Sequence, residues 1–379
     1  MMRQFIYVLL FVLEWVAPAQ AVTYYTGTDG SDANSCATAQ TIGTPKRTIL
    51  AGIGCLVAGD TLKIKAGTYT EDAINYAGAS GTSFAYAVTI TANDTADKPI
   101  VRPAALAGAS SVLEITGDYS YLIISYLVID AVNVAGNGIE IAWSGGATAH
   151  HIRIANCEIK NSAAGSKSGI LESKFSNAQG GSNEILDNDI HDNGINDNLS
   201  QGLYFESNNN LFDGNTIYNN VNNGLTLYNG YAGQSANNNT IKNNNVYNNG
   251  TGAMGFGTGI TVGCGDNNLV YNNIVRDNDG AGAGGIFVAS FGCPADPTNT
   301  KIYNNTIYGN TNYGLRINAD AADTLVTNNI YYNNGTNYSN AGVGTVNTTN
   351  QATDPTFVNA AANDYHLQTT STAKDAGTT

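Results

Sequence analysis

NNLFDGNTIYNN, residues 209–220, is the first of five related phrases that decide the fold of this chain. The other four are NNTIKNNNVYNN (238–249), NNLVYNNIVRDN (267–278), NTKIYNNTIYGN (299–310) and DTLVTNNIYYNN (323–334), and earlier copies read HHIRIANCEIKNS (150–162) and SNEILDNDIHDN (182–193). The central apolar residue recurs about every 29 residues, at Ile159, Ile190, Ile217, Val246, Val275, Ile307 and Tyr331. A fixed period of this length is typical of stacked structural repeats.

Each repeat contains short strands joined by tight turns. Shorter phrases such as NGLTLYN, TGITVG, GGIFVAS and YGLRIN follow the first four copies, and both kinds alternate apolar with polar residues. Helical repeats are excluded because Asn and Gly at this density destabilise helices, and the regular leucines of leucine-rich repeats are absent. The pattern therefore predicts an all-β parallel β-helix, with coils of about 29 residues that lie roughly 4.8 Å apart.

Two columns of asparagine support this prediction. One column lies two residues before the central apolar position and the other lies three residues after it, as in Asn215 and Asn220 around Ile217. Stacked Asn side chains can hydrogen-bond along a stack, and Asn tolerates the left-handed backbone of sharp turns. Low-complexity disorder is the alternative, but apolar residues in a fixed register argue against it.

Residues 1–21 have the features of a secretory signal peptide. Arg3 provides positive charge, Phe5–Val16 forms an apolar core, and a small-x-small cleavage site ends at Ala21. We therefore expect a secreted protein, extracellular or periplasmic, after cleavage near Ala21. The apolar run is too short for a transmembrane span, so no membrane-spanning segment is expected.

The rest of the chain divides into three parts. Residues 22–110 are expected to form an N-terminal cap and first strands, with one short helix predicted at Pro45–Ala58 because Pro suits a first helical turn. Residues 111–340 form the coils, and residues 341–379 form a C-terminal capping segment, since solenoid ends need covering.

Composition limits the partners of the protein. The chain has a formal net charge of −14, with 42% hydrophobic and 12% charged residues. This composition suits one elongated domain with a continuous core, which we expect to be monomeric. The excess of acidic residues argues against nucleic acid as a partner.

Five cysteines in an exported chain favour disulfides. Cys36 and Cys55 lie in the same pre-repeat region, and Cys264 and Cys293 lie one coil apart, so both pairs can bond. Cys157 replaces an Asn in the first column and is expected to be a buried free thiol. The alternative is that all five are inert thiols.

The two ends of the chain resemble a known group. Residues 23–71 (TYYTGTDGSDANSCATAQ…TYTE) and 352–377 (ATDPTFVNAAANDYHLQTTSTAKDAG) are similar to the opening and closing segments of secreted right-handed parallel β-helix proteins. That group includes the pectate-lyase-like and the chondroitinase- and alginate-lyase-like polysaccharide lyases. The resemblance implies a right-handed coil and a polysaccharide partner.

Outward side chains on successive coils should form vertical columns. The first column, one residue after the central position, is Lys160, His191, Tyr218, Tyr247, Arg276, Tyr308 and Tyr332. The second is Glu140, Leu171, Tyr204, Thr226, Thr261, Phe287 and Arg316, with Glu206 and Tyr228 beside it. Rows of Tyr offer apolar faces and hydroxyls to a sugar. The alternative is that Tyr is an ordinary solvent-facing strand residue.

Charge selects a candidate catalytic region within these columns. A basic patch around Lys160 precedes an acidic cluster around His191, and this arrangement suits a uronate polymer. Cleavage by β-elimination needs a base near the C5 proton of the sugar. We therefore predict Lys160, His191 and Tyr218 as catalytic residues, with Lys160 as the base. The predicted substrate-binding residues are Arg153, Tyr204, Glu206, Tyr228, Tyr247 and Arg276.

The acidic cluster is also a candidate metal site. Asp187, Asp189 and Asp192 supply the oxygen ligands that Ca²⁺ prefers, and Ca²⁺ would acidify the C5 proton. Calcium-dependent members of the resembled group use a Lys or Arg base beside an Asp-rich site. The alternative is turn chemistry, in which Asp replaces Asn.

Two other functions fit the same sequence. A hydrolase would need two carboxylates facing one sugar bond, and Glu140, Glu172 and Glu206 on adjacent coils are candidates, although the Asp pairs of β-helix polygalacturonases are missing. The other function is a non-catalytic glycan-binding or structural surface protein that uses the Tyr rows.

Overall fold

The computed structural model describes residues 20–104, 111–162, 167–173, 180–195, 199–230, 236–252, 257–280 and 282–378. Most of the predicted signal peptide (1–21) therefore lies outside the described residues. The chain winds into a three-sided parallel β-helix whose faces we call sheets A, B and C. Within the described ranges, no helix is long and apolar enough to cross a membrane.

Ten coils contribute one strand to each sheet in the order A, B, C, and sheet A has one further strand near each end of the chain. Sheet A consists of Thr23–Thr26, Thr61–Ile64, Val88–Ala92, Ser120–Ser125, His150–Ala155, Glu184–Leu186, Leu211–Asp213, Thr240–Lys242, Leu269–Tyr271, Lys301–Tyr303, Leu325–Thr327 and Val346–Thr348. Sheet B consists of Thr68–Tyr69, Ile100–Val101, Val128–Asp130, Glu158–Lys160, Asp189–His191, Thr216–Tyr218, Asn245–Tyr247, Ile274–Arg276, Thr306–Tyr308 and Ile330–Tyr332. Sheet C consists of Ile74–Asn75, Leu113–Thr116, Ile139–Ser144, Ile170–Ser173, Leu203–Phe205, Leu225–Leu227, Thr258–Val262, Gly284–Val288, Tyr313–Ile317 and Thr336–Asn340, with Ala147–Thr148 antiparallel to Ile139–Ser144.

The predicted register is confirmed. The central apolar residues are vertical neighbours in sheet B, as in Ile190↔Ile217 and Ile217↔Val246. All seven are buried, the most exposed being Tyr331 at 4%. Their alternation with outward polar residues follows from the two-residue period of a strand. Residues that lie one coil apart in the sequence are therefore neighbours in space.

Both predicted Asn columns form hydrogen-bonded ladders. Between sheets A and B, Asn188, Asn215, Asn244, Asn273, Asn305, Asn329 and Asn350 are linked by Nδ2–Oδ1 distances of 2.9–3.0 Å. Between sheets B and C, Asn193, Asn220, Asn249, Asn278, Asn310 and Asn334 are linked at 2.8–3.0 Å. The residue before each ladder Asn bends the chain, and it is left-handed in most coils, as in Asn243 (φ 55°) and Asn248 (φ 52°). The turn and the ladder are therefore one repeated unit.

A third ladder, which the sequence reading missed, lies at the corner before sheet A. The backbone N–H groups of Asn183, Asn210 and Asn239 donate to the Oδ1 atoms of Asn210, Asn239 and Asn268 at 2.8–2.9 Å. Each of these residues lies two positions before a buried apolar residue of sheet A, the same spacing that marks the first ladder. All three corners of the prism are therefore fixed by amide side chains.

The N-terminal helix is shorter than predicted. It spans Ile49–Ile53, and Thr48 caps it by accepting a hydrogen bond from the Ala51 N–H at 3.1 Å. Pro45 is not in its first turn, because the Pro45 carbonyl accepts hydrogen bonds from Ser31 N and Asn34 Nδ2. Those bonds hold the preceding chain extended. Short 3₁₀ turns occur at Thr38–Gln40, Phe84–Tyr86 and Ala360–Ala362.

A hairpin near the C-terminus covers part of sheet B. Its strands, Phe357–Asn359 and Asp364–Leu367, are antiparallel. The rings of Phe357 and Tyr365 lie 5.8 and 5.4 Å from the ring of Tyr308 on sheet B. The hairpin therefore shields sheet B at the coil of Tyr308.

The cysteine predictions are confirmed. Disulfides join Cys36 to Cys55 and Cys264 to Cys293, and Cys157 is a buried free thiol. Burial raises the pKa of the Cys157 thiol to about 11. Because the thiolate is the reactive form, Cys157 is chemically quiet at neutral pH.

Candidate functional site

The predicted site residues lie on three different faces of the prism. Sheet B carries Asp189, Lys160, His191, Tyr218, Tyr247 and Arg276 in the predicted register. Sheet C carries Tyr204, and Glu206 and Tyr228 directly follow its strands. Arg153 lies on sheet A, where it pairs with Glu184 at 2.6 Å and covers the Phe84 ring at 4.2 Å. The structure therefore does not bring these residues into one groove.

The coils of sheet B that carry Lys160 and His191 contain a chain of close contacts between charged and polar side chains. Glu158 contacts the Lys160 ammonium group, and its Oε1 lies 3.4 Å from His191 Nε2. His191 Nδ1 lies 2.7 Å from Asp192 Oδ2. Partial burial favours a raised pKa for Glu158, but the hydrogen bonds and charges of Lys160 and His191 outweigh it and lower the pKa of that carboxyl. Lys160 and His191 therefore converge on one carboxylate.

On successive coils of sheet B, from His191 to Tyr247, the aromatic rings stack on one another. The His191 and Tyr218 rings are 4.7 Å apart at an angle of 13°, and the Tyr218 and Tyr247 rings are 5.0 Å apart at 3°. The Arg276 guanidinium covers the next face of Tyr247 at 4.0 Å. Ring faces engaged in this way are not available to a sugar, so this row presents mainly ring edges and hydroxyls.

The tyrosines of this stack are proton donors at neutral pH. Burial, together with the charges of Asp189, Asp192 and Glu158 and the neighbouring Tyr247, raises the pKa of Tyr218 to about 12. Burial also raises the pKa of Tyr247, although Arg276 opposes that shift. Tyr218 therefore keeps its phenolic proton at neutral pH.

Two of the three predicted metal ligands take turn positions, and the third, Asp189, lies on a strand of sheet B. Asp187 and Asp192 each have a φ of 54°, at corners where other coils place Asn or Gly. Asp187 Oδ1 packs against Gly214 so closely that a Cβ there would lie 2.1 Å away. Across the described chain, no three His, Cys, Asp or Glu side chains converge on a metal position. Calcium binding at Asp187, Asp189 and Asp192 stays a prediction, and we derive no step through Ca²⁺.

A groove lies instead on sheet C, and we call it the sheet C groove. It has a volume of about 250 Å³. Its lining consists of Leu199, Gln201, Tyr204, Asn222, Asn223, Thr226, Tyr228, Thr261 and Phe291. None of these side chains is charged. Sequence analysis predicted Tyr204 and Tyr228 here and missed the amides and the exposed apolar walls.

The groove exists because small residues separate large ones in the outward column. Tyr204, Thr226, Thr261 and Phe287 are consecutive vertical neighbours. The two Thr side chains are nearly buried at the floor, with exposures of 4% and 1%. Leu199, from the turn before sheet C, and Phe291, from the turn after it, stand up as walls, with exposures of 57% and 41%. The column was predicted from the sequence. The change from Tyr204 to the smaller Thr226 and Thr261 within it indicates a depression in the surface of sheet C.

The carboxylates expected of a hydrolase do not face one another. Glu172 is in register with Ile141 and Phe205 and points into the core, where it is fully buried. It accepts a hydrogen bond from the Glu206 N–H at 2.9 Å. Glu140 faces outwards and accepts from Ser111 Oγ and Asn137 Nδ2. Glu140, Glu172 and Glu206 therefore take three different register positions and form no outward row.

Comparison with known proteins identifies the fold. A family model described as the right-handed β-helix region matches residues 111–294. The structure of pectate lyase Pel9A is similar over 94% of this chain and 91% of its own, with 17% identity and a TM-score of 0.64.

Two further solved structures show the same likeness. A GH136 lacto-N-biosidase from Eubacterium ramulus matches with 14% identity over 87% of this chain and 67% of its own, at a TM-score of 0.57. An alginate lyase from Paenibacillus sp. str. FPU-7 matches with 17% identity over 79% of this chain and 97% of its own, at a TM-score of 0.55. No curated protein matches the chain in sequence. The predicted resemblance and the right-handed parallel β-helix are confirmed, and at these identities the likeness concerns the fold.

Proposed function

We propose that this protein is an exported polysaccharide-active protein that holds a glycan chain in the sheet C groove. The observation that carries the proposal is the lining of the groove, in which the aromatic residues Tyr204, Tyr228 and Phe291 lie with polar uncharged residues. Sugars present apolar ring faces and many hydroxyl groups, and a site for them needs both kinds of partner. Solved structures with this fold include a pectate lyase and an alginate lyase, which supports a polysaccharide ligand.

The length of the groove suits several sugar units. Its lining runs from Tyr204 past Tyr228 and Thr261 to Phe291, on four successive coils. Three coil-to-coil steps correspond to about 14 Å. A chain running parallel to the axis of the β-helix would therefore pass one lining side chain per coil.

The charge of the groove favours an uncharged stretch of glycan. The described lining contains no Lys, Arg, Asp or Glu, and the whole chain has a net charge of −14. A uronate chain would lose hydration of its carboxylates in the groove without gaining a cationic partner there. Gln201 and Asn222 instead line the groove with neutral amides, whereas the Asn223 amide bonds to Thr226 Oγ1 and to the Thr258 N–H.

Affinity electrophoresis with a glycan panel tests this proposal. The panel contains uncharged polysaccharides (galactomannan, xyloglucan, hydroxyethylcellulose) and uronate polymers (pectate, alginate). We expect at least one uncharged polysaccharide to retard the protein, because the groove binds hydroxyl-rich neutral chains. Retardation by none of the five polymers would contradict the proposal, and retardation by the uronates alone would move the site to sheet B.

A second candidate function, β-elimination on a uronate polymer, is favoured by the convergence of Lys160 and His191 on Glu158 above Tyr218. We assign the removal of the C5 proton to the His191 imidazole, whose Nε2 lies farther from Glu158 than the Lys160 ammonium group does, and the donation of a proton to the leaving oxygen to Tyr218. Lys160 would then pair with the carboxylate of the substrate. This assignment revises the sequence-based prediction of Lys160 as the base.

Incubation with pectate, alginate and chondroitin tests this second candidate. The candidate expects an unsaturated product that absorbs in the near ultraviolet, and His191→Ala should lower its rate by roughly 100-fold or more, the usual contribution of a general base. His366→Ala is the matched control, because His366 is exposed on the C-terminal hairpin. No absorbance from the wild type on any of the three polymers, with or without added Ca²⁺, rules out the lyase and leaves the groove-binding proposal intact.

A further inference from the structure

One wall of the sheet C groove is tied to the inter-coil disulfide. Phe291 lies in the turn Ser290–Cys293, which is closed by a hydrogen bond from the Cys293 N–H to the Ser290 carbonyl at 2.9 Å. Cys293 is bonded to Cys264 on the preceding coil. The aromatic wall is therefore anchored two residues away from a covalent cross-link.

The backbone of this turn is unusual for the residues it contains. Phe291 has a φ of 47° and Gly292 has a φ of 81°. A bulky residue in the left-handed region is rare and persists only when its surroundings hold it there. Two contacts do so here, the Cys264–Cys293 disulfide and the edge-on packing of the Phe291 ring against Phe287 at 5.2 Å.

The contacts of the disulfide continue to the end of the groove that contains Tyr204. Cys264 Sγ accepts a hydrogen bond from the Asn229 N–H at 3.3 Å, and Asn229 Nδ2 donates to the Glu206 carbonyl at 2.6 Å. Glu206 directly follows the strand that carries Tyr204. Cys264, Cys293, Asn229 and Glu206 are all buried, at 9% exposure or less. A continuous series of contacts thus joins the Phe291 wall to the coil that carries Tyr204.

We propose that Phe291 is a specificity-determining wall of the sheet C groove, and that the Cys264–Cys293 disulfide is the positioning element that keeps it against the bound glycan. This inference rests on the proposed function of the groove and adds the residue that shapes it. With the disulfide formed, the ring stands over the floor made by Thr261. Without it, the turn relaxes from its left-handed backbone and the ring leaves the groove.

The effect should fall on affinity, because an aromatic wall contributes contact area and excludes water. We expect Phe291→Ala to weaken binding of the panel's uncharged polysaccharides by about tenfold. Phe291→Tyr should stay near the wild type, because it keeps the ring. Gly292→Ala should also weaken binding, since an added Cβ is strained at its φ of 81° although space is free around it.

The disulfide itself is tested by a matched pair of double variants. Cys264→Ser/Cys293→Ser should weaken binding about tenfold, whereas Cys36→Ser/Cys55→Ser removes the disulfide of the N-terminal cap and should leave affinity unchanged. Thermal unfolding of each variant shows whether it is folded at the assay temperature. If the first double variant fails to fold, Phe291→Ala and Gly292→Ala test the wall and its turn with the disulfide intact.

The outcomes separate this inference from the function on which it rests. A wild type that is not retarded by galactomannan, xyloglucan or hydroxyethylcellulose removes the groove function itself. A wild type that is retarded, together with unchanged retardation of Phe291→Ala and Gly292→Ala, overturns the inference alone. Equal affinity of the folded Cys264→Ser/Cys293→Ser variant and the wild type overturns the positioning role of the disulfide.

Discussion

Asn249→Ala is expected to lower the free energy of unfolding by about 3 kcal/mol. Asn249 is fully buried in the ladder between sheets B and C. Its Nδ2 donates to Asn278 Oδ1 at 3.0 Å and to the Ile217 carbonyl at 3.0 Å, and its Oδ1 accepts from the Asn220 N–H at 3.1 Å. The substitution leaves that buried N–H without a partner, which alone costs roughly 1–3 kcal/mol, and it removes further buried hydrogen bonds worth about 1 kcal/mol each.

The neighbouring residue provides the matched control. Asn248 is exposed and has a φ of 52°, a conformation that Gly adopts without strain. Asn248→Gly should therefore change stability by less than about 0.5 kcal/mol. Urea denaturation followed by circular dichroism compares the two variants with the wild type. Equal stability of Asn249→Ala and Asn248→Gly would show that the ladder does not hold the coils together.

The repetitive part of the fold could be predicted because the repeat supplies its own register. Ile190, Ile217 and Val246 recur at the period of one coil, so stacking follows from sequence spacing alone. The Cys264–Cys293 disulfide follows from the same spacing. Inward and outward positions then follow from alternation, and the first column from Lys160 to Tyr332 was predicted residue by residue.

The parts that could not be predicted depend on interactions outside the repeat. Glu172 occupies a position where alternation demands an apolar residue, and only the structure shows that its carboxylate meets the Glu206 N–H inside the core. The helix at Ile49–Ile53 begins late because of hydrogen bonds to Pro45 from residues distant in sequence. The sheet C groove depends on differences in side-chain size between coils, and a repeat pattern averages such differences away.

The candidate site depends on ring geometry, which a repeat pattern also does not show. Sequence reasoning treated Tyr218 and Tyr247 as a sugar platform because they line up, but residues that line up at one coil spacing are also close enough to stack. Their rings lie 5.0 Å apart and nearly parallel, so each covers a face of the other. Tyr204 and Tyr228 are 6.3 Å apart at an angle of 51°, and that tilt leaves ring surface facing the groove.

This difference in geometry leads to a comparison of two double variants. Tyr204→Ala/Tyr228→Ala should weaken binding of the uncharged polysaccharides by about 100-fold, or roughly 2.7 kcal/mol, because aromatic residues at the centre of a site each contribute more than 1 kcal/mol. Tyr218→Ala/Tyr247→Ala removes the same number of atoms from sheet B and should change affinity by less than about twofold, a difference below 0.5 kcal/mol.

Affinity electrophoresis over a range of galactomannan concentrations measures both effects, and thermal unfolding shows that both variants remain folded. Either outcome is informative. The two pairs of tyrosines lie on different faces of the prism and differ in ring geometry, but they are the same residue type. If the sheet B variant loses binding and the sheet C variant keeps it, glycan recognition belongs to the stacked row, and the depression formed by Thr226 and Thr261 has no part in it. The tilt between Tyr204 and Tyr228 is then irrelevant to binding, and stacked rings with engaged faces are able to hold a sugar chain by their edges.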